Sequence, residues 1–153
     1  MTSSASARFA SCLALTFALS AASLCEFSHT ASAHGAFAIG GSTADSQYGF
    51  AAGYSWNHDS KEAAERKAIE QCKSYPSEAP DQTNAKCAIV ANFSHQWLVI
   101  AMDPDAGQTG FGYSIGNDRD TAERNAMGQC KASSPEARRS FCAVAAAKFD
   151  EKP

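Results

Sequence analysis

The residues with the most chemistry to offer in this chain of 153 are its six cysteines, four histidines and sixteen carboxylates. Four of the cysteines, Cys72, Cys87, Cys130 and Cys142, fall into two pairs with fourteen and eleven residues between partners. A four-cysteine zinc site wants short C-x-x-C pairs, so these gaps argue against metal and for disulfides. His58 precedes Asp59, and an imidazole beside a carboxylate can serve acid–base catalysis. Adjacent residues at a helix entrance rarely face one another, however, and Asp59 is needed as a cap. His95 lies with Asn92 and Ser94 in a strand-to-strand turn, and His34 is a candidate new N-terminus. Asp103, Asp105 and Gly107 resemble part of a calcium loop, but the closing Glu is absent and Pro104 intrudes. No G-x-S-x-G nucleophile motif occurs, and Gly110-Phe111-Gly112 runs into a strand rather than a phosphate loop. The sequence therefore predicts no catalytic residue, no metal site and no cofactor.

The elements that carry these residues are set by a duplication. Ala64 to Lys73 reads Ala-Glu-Arg-Lys-Ala-Ile-Glu-Gln-Cys-Lys and returns, identical at seven of ten positions, as Ala122 to Lys131, an offset of 58. Gly53-Tyr54-Ser55 precedes the first copy and Gly112-Tyr113-Ser114 the second; Cys87-Ala88-Ile89 and Cys142-Ala143-Val144 follow them. Each repeat owns one cysteine pair, which selects Cys72–Cys87 and Cys130–Cys142 from the three possible connectivities. Closing loops of this size contributes about 3 kcal/mol in the chain-entropy model.

The start of the chain reads as a secretory signal over residues 1–33. Met1 to Arg8 is short, with Arg8 its only basic residue, Phe9 to Leu24 is mostly apolar, and Ala31-Ser32-Ala33 is an A-x-A cleavage site. Cys25 raises a lipoprotein alternative, against which Leu24 stands at a position that wants a small residue. The apolar run is too short and too rich in Ala and Ser for a membrane span, so no stable insertion is expected after cleavage. Net charge is −3, and residues 34–153 alone give the same value, because Arg8 and Glu26 leave together. Arg138-Arg139, beside Glu136, is the only local basic cluster and reads as a solvated loop. A nucleic-acid partner is therefore not expected.

In chain order, His34 to Ile39 predicts a first strand, and Tyr48 to Trp56 a second with Phe50, Ala52, Tyr54 and Trp56 on one face. Asp59-Ser60 supply a helix cap, with Glu62 completing a capping-box pattern. The helix runs to Lys73, its buried stripe made of Ala64, Ala68 and Cys72. Lys86 to Phe93 predicts a strand with Cys87, Ile89, Ala91 and Phe93 on one face, and Trp97 to Met102 a central strand. The second repeat then gives a strand over Gly110 to Ile115, a helix capped by Asp118 and a last strand from Phe141 to about Ala147. Each half reads β-β-α-β, repeat one spanning about 35–93 and repeat two about 97–149. The expected fold is α+β: a roughly six-stranded, mainly antiparallel sheet with two helices on one side, one domain over 34–153.

The repeated Gly-Tyr-Ser, the Ala-Glu-x-x-Ala-x-x-x-Cys and the Cys-Ala-Ile/Val, opened by His34-Gly35-Ala36-Phe37-Ala38, resemble the bacterial family called domain of unknown function 4189. The resemblance covers about Gly35 to Ala147. It implies a small exported protein and no accepted catalytic residues. Members often have a further cysteine where Trp97 stands and another where Ala147 to Phe149 lie; this chain lacks both.

Together these readings predict a secreted or periplasmic, disulfide-bonded domain that binds another protein. Tyr48, Trp56, His58 and His95 form the candidate binding surface, Tyr48 and Trp56 as its exposed aromatics. Two alternatives are a small secreted hydrolase using His58 or His95 and an envelope structural or stress protein.

Overall fold

The computed structural model describes residues 33–41, 49–77, 79–105 and 110–151. Residues 1–32 of the predicted signal segment 1–33, and Tyr48, lie outside them. The elements follow the duplicated order: β1 His34–Gly40, β2 Ala51–His58, α1 Lys61–Lys73, β3 Ala88–Phe93, then β4 Trp97–Met102, β5 Phe111–Gly116, α2 Arg119–Ser133 and β6 Ala143–Phe149. Short 3-10 turns at Asn84–Lys86 and Glu136–Phe141 precede β3 and β6.

The α+β class, the antiparallel pairing and the repeats are as the sequence predicts, whereas the layering differs. The six strands form two three-stranded sheets, ordered β2-β1-β3 and β5-β4-β6, rather than one sheet with both helices on one side. The physical reason lies in how each strand alternates. Small residues of β1 and β2 (Ala36, Ala38 and Ala51) pack with Ala64, Ala68 and Cys72 of α1. Val99 and Ala101 do the same with Ala122, Ala126 and Cys130 of α2. The opposite faces carry Phe37, Phe93, Leu98, Ile100 and Phe111, which pack on one another between the sheets. A helix cannot cover so broad an aromatic face, but a second sheet can. The result is four layers: α1, first sheet, second sheet, α2.

The residues shared by the repeats explain the helix–sheet contact. A Cβ built on Gly53 would collide with the Ala68 carbonyl oxygen and the Cys72 nitrogen, and one on Gly112 with Ala126 and Cys130. Each helix therefore lies directly on backbone. Gln71 Oε1 accepts from the Tyr54 N–H, and Gln129 Oε1 from the Tyr113 N–H, both at 3.3 Å. These are N–H groups of outer strands, so the repeated glutamine covers one polar group on each sheet edge; on β5 Ser133 Oγ also accepts from the Phe111 N–H at 2.8 Å. Ser55 Oγ donates to the Ala64 carbonyl at 2.7 Å, adding a second tie between β2 and α1.

Three local expectations are refined or corrected. The N-cap of α1 is Ser60, the second of the expected Asp59-Ser60 pair, whose side chain accepts from Ala63 N at 3.2 Å. Asp118 caps α2 as predicted, accepting from Thr121 N at 2.8 Å; the Thr121 hydrogen bonds hold its carboxyl below the usual range. In β3 the register slips between Ala91 opposite Phe37 and Ile89 opposite Ala38, leaving Val90 as a bulge. Cys87 and Ile89 thus face α1, whereas Ala91 and Phe93 face the other sheet. Ala145 is the matching bulge in β6. Third, Arg138 is not solvated loop. Its guanidinium donates to both Asp103 oxygens, at 2.8 and 2.6 Å, also binds Asp105, and lies 4.0 Å from the Phe141 ring centroid. The Asp103 side chain is fully buried beneath it.

The two bridges form as predicted, Cys72–Cys87 and Cys130–Cys142, each with a Cα–Cα distance of 6.0 Å. Trp97 and Phe149 are register partners with ring centroids 5.2 Å apart. An aromatic pair thus joins β4 to β6 at this end of the second sheet.

Two predictions follow from this packing. Gly53→Ala and Gly112→Ala should each lose about 1–3 kcal/mol of stability through forced displacement of a helix. Gly128→Ala, in α2 with open space around it, should gain up to about 1 kcal/mol from helix propensity; urea unfolding of the three variants measures both. The Arg138 hydrogen bonds hold the Asp103 carboxyl below the usual carboxylate range. Because the folded value is the lower one, this contribution is complete above about pH 4 and is lost as pH falls through the folded value. The stability difference between wild type and Arg138→Gln should therefore be large at pH 7 and shrink in acid, read from thermal unfolding at pH 7 and pH 3.

Candidate functional site

The first repeat builds one wall of an open cleft between the sheets. Phe50, Ala52 and Tyr54 line it from β2 and the residue before it. Tyr75 and Pro76, just beyond α1, close one end, with the Phe50 and Tyr75 rings stacked at 6.2 Å. The Tyr75 backbone is fixed from behind by Asn84, whose Nδ2 donates to the carbonyls of Cys72, Lys73 and Tyr75 at 3.1, 3.1 and 2.7 Å. Asn84 is itself buried and adjoins the Cys72–Cys87 bridge. The second repeat supplies the facing wall, Ile100 and Met102 from β4 and Ala145 and Ala146 from β6. The volume of this open cleft is about 430 Å³, within the range of small binding pockets. Gln71 and Ser74 are its polar edge, and no charged residue lines it.

The duplication shows why this cleft is open. Gly53 pairs with Ala38 and Gly112 with Ala101, so Ala52 corresponds to Phe111 and Ile100 to Phe37. Ile89 and Val144 are likewise equivalent partners of Ala38 and Ala101, making Ala145 the counterpart of Val90. On the equivalent opposite side the space is taken by rings. Phe111 is buried, its ring 4.6 Å from Phe50 at the rim of the cleft, 6.5 Å from Phe37 and 6.3 Å from Tyr113, and Phe37 lies 4.9 Å from Tyr113. Smaller residues at Ala52, Ile100 and Ala145 leave the first side unfilled.

The candidate binding residues do not converge on this cleft. Trp56 is half-buried on the inner face, 5.9 Å from Tyr54, with Lys148 Nζ 4.8 Å from its ring centroid. It is not the exposed aromatic the sequence suggested. His58 ends β2 opposite His34 across the strand pair. His95 is exposed in the turn between β3 and β4, with φ of 51°. Neither histidine lines the cleft, and the two are on different connections. Among the described residues no group of three or more His, Cys, Asp or Glu side chains is placed to hold a metal ion.

A site that the sequence reading missed lies at the end of the sandwich. The first repeat has one more residue than the second between its Gly-Tyr-Ser and its helix cap, and β2 absorbs it as an irregularity opposite His34 to Ala36. Asn57 takes a φ of 60° there, a conformation that Asn tolerates better than most residues. Its N–H donates to Asp150 Oδ1 at 2.6 Å, and its side-chain oxygen accepts from Glu151 N at 2.7 Å. Asp150 is fully buried, and its Oδ2 has no hydrogen-bond partner among the described residues. The insertion was visible in the sequence, but its partner 93 residues away was not.

No curated protein and no solved structure matches the chain. A family model described as Domain of unknown function (DUF4189) matches residues 34–147, nearly the whole of the duplicated unit with its paired glycines, tyrosines and cysteines. The chain belongs to that family.

Proposed function

We propose that this chain acts outside the cytoplasm as a non-catalytic domain that binds another protein through the cleft between β2 and β6. The observation that carries this reading is the inequality of two equivalent spaces. A duplicated fold has the residues to fill both, as Phe111 and Phe37 do on one side, yet Ala52, Ile100 and Ala145 leave the other open. An unfilled apolar space lowers stability, since packing atoms are missing from one side of every wall residue. Such a space with a rigid rear wall, held by Asn84 and a disulfide, is suited to complementing a partner's side chain. Two disulfides are compatible with an oxidising compartment. No helix among the described residues is long and apolar enough to cross a membrane. With the leader pattern in residues 1–33, these features support a periplasmic or secreted location.

Affinity capture with oxidised protein spanning 34–153, against envelope and culture-supernatant extracts, tests the reading. Wild type should retain a stoichiometric protein partner that Ala52→Phe, filling the cleft, loses by at least tenfold. A partner retained equally by Ala52→Phe, or no partner at all, contradicts it. A hydrolytic turnover that vanishes in His58→Ala or His95→Ala would replace it with an enzymatic role.

A further inference from the structure

We infer that the cleft accepts an aromatic ring presented by an extended segment of the partner protein. The inference rests on the binding role just proposed and specifies what is bound. Three observations select the ring. The position equivalent to Ala52 carries one, Phe111, lying beside Phe50, Tyr113 and Phe37 much as an occupant of the open cleft would lie beside Tyr54 and Ile100. Phe50 and Tyr75, stacked 6.2 Å apart at an interplanar angle of 26°, present aromatic surface for offset or edge-on contact. The lining carries no charge, so a charged side chain entering it would be desolvated without a counter-ion. Complementarity of charge thus excludes Lys, Arg, Asp and Glu as the inserted residue.

The backbone selects the extended segment. β6 is an outer strand, pairing among the described residues with β4 alone, and Ala143, Val144 and Ala145 are exposed at its start. On the opposite lip, the Tyr54 N–H of β2 is already taken by Gln71. A partner strand therefore finds its pairing row on β6, and its alternating side chains bring one residue over Ala146 into the cleft. A partner strand of this kind also covers Val144, which is 40% exposed.

The test is amide-resolved NMR titration of oxidised protein, 34–153, with three blocked amino acids as probes. N-acetyl-phenylalaninamide should give saturable shifts at Ala52, Tyr54, Ala145 and Ala146. N-acetyl-leucinamide should bind at least tenfold more weakly, and N-acetyl-lysinamide should leave those signals in place. Ala52→Phe and, separately, Ala146→Leu should abolish the phenylalanine response while keeping a dispersed, folded spectrum. Extending the probe to a blocked pentapeptide with a central Phe should tighten binding at least tenfold and shift the amides of Ala143 to Ala145. Equal responses to the leucine and phenylalanine probes, or no saturation with either, overturn the ring. Tightening without any shift in β6 overturns the strand. Partner capture lost in Ala52→Phe alongside a silent phenylalanine probe leaves the binding role standing and removes this inference alone.

Discussion

The contact on which the rest of the architecture depends is the seating of each helix directly on the backbone of an outer strand, Gly53 under Ala68 and Cys72 and Gly112 under Ala126 and Cys130. Because the helix sits so close, only small residues fit between it and the sheet. That requirement fixes one face of β1 and β4 as Ala36, Ala38, Val99 and Ala101. The alternation of a strand then sends the large residues to the other face. Phe37, Leu98, Ile100 and Phe111 become nearly inaccessible only if a second sheet covers them. Each such side chain contributes on the order of 1.5–3 kcal/mol on burial. Dense helix packing on the outside and an aromatic layer on the inside are therefore two consequences of one constraint.

The disulfides belong to the same scheme. Cys72 and Cys130 are the last buried residues of the helix stripes, fully inaccessible in both repeats. Each bridge pins its helix to the approach of the following outer strand, β3 or β6. The loops between are held by different means. Asn84 gathers the terminal carbonyls of α1, while Arg138 binds Asp103 and Asp105 beside β4. The repeats are thus alike where helix meets sheet and unlike where loop meets sheet. The cleft, the Asn57–Asp150 tie and the Arg138 clamp all lie in the unlike parts.

This division accounts for what the sequence revealed. Helix–sheet contacts are short-range and duplicated, so the helices, the pairing Cys72–Cys87 and Cys130–Cys142 and the β-β-α-β order were legible in the repeated residues. The layering was not, because alternation shows that a strand has two apolar faces without saying what covers the larger one. Cys87, Ile89, Ala91 and Phe93 follow a strict period of two, and the Val90 bulge that turns them to different faces leaves no trace in that pattern. Arg138 read as loop because its carboxylate partner lies 35 residues upstream. The cleft was present in the sequence only as a comparison, Ala52 against Phe111, whose meaning depends on knowing that both side chains point between the sheets.

The central claim is that these two positions are equivalent, one filled and the other open. The most direct measurement is the free energy of unfolding of Ala52→Phe by urea titration, set beside Phe111→Ala. The account predicts that Ala52→Phe is at least as stable as wild type, with an unchanged urea dependence, because a ring at position 52 enters existing space. It predicts that Phe111→Ala loses about 3–5 kcal/mol by opening a second space. Destabilisation of Ala52→Phe by the 1–3 kcal/mol typical of overpacking would contradict it, showing that the space between β2 and β6 does not match the one that Phe111 fills.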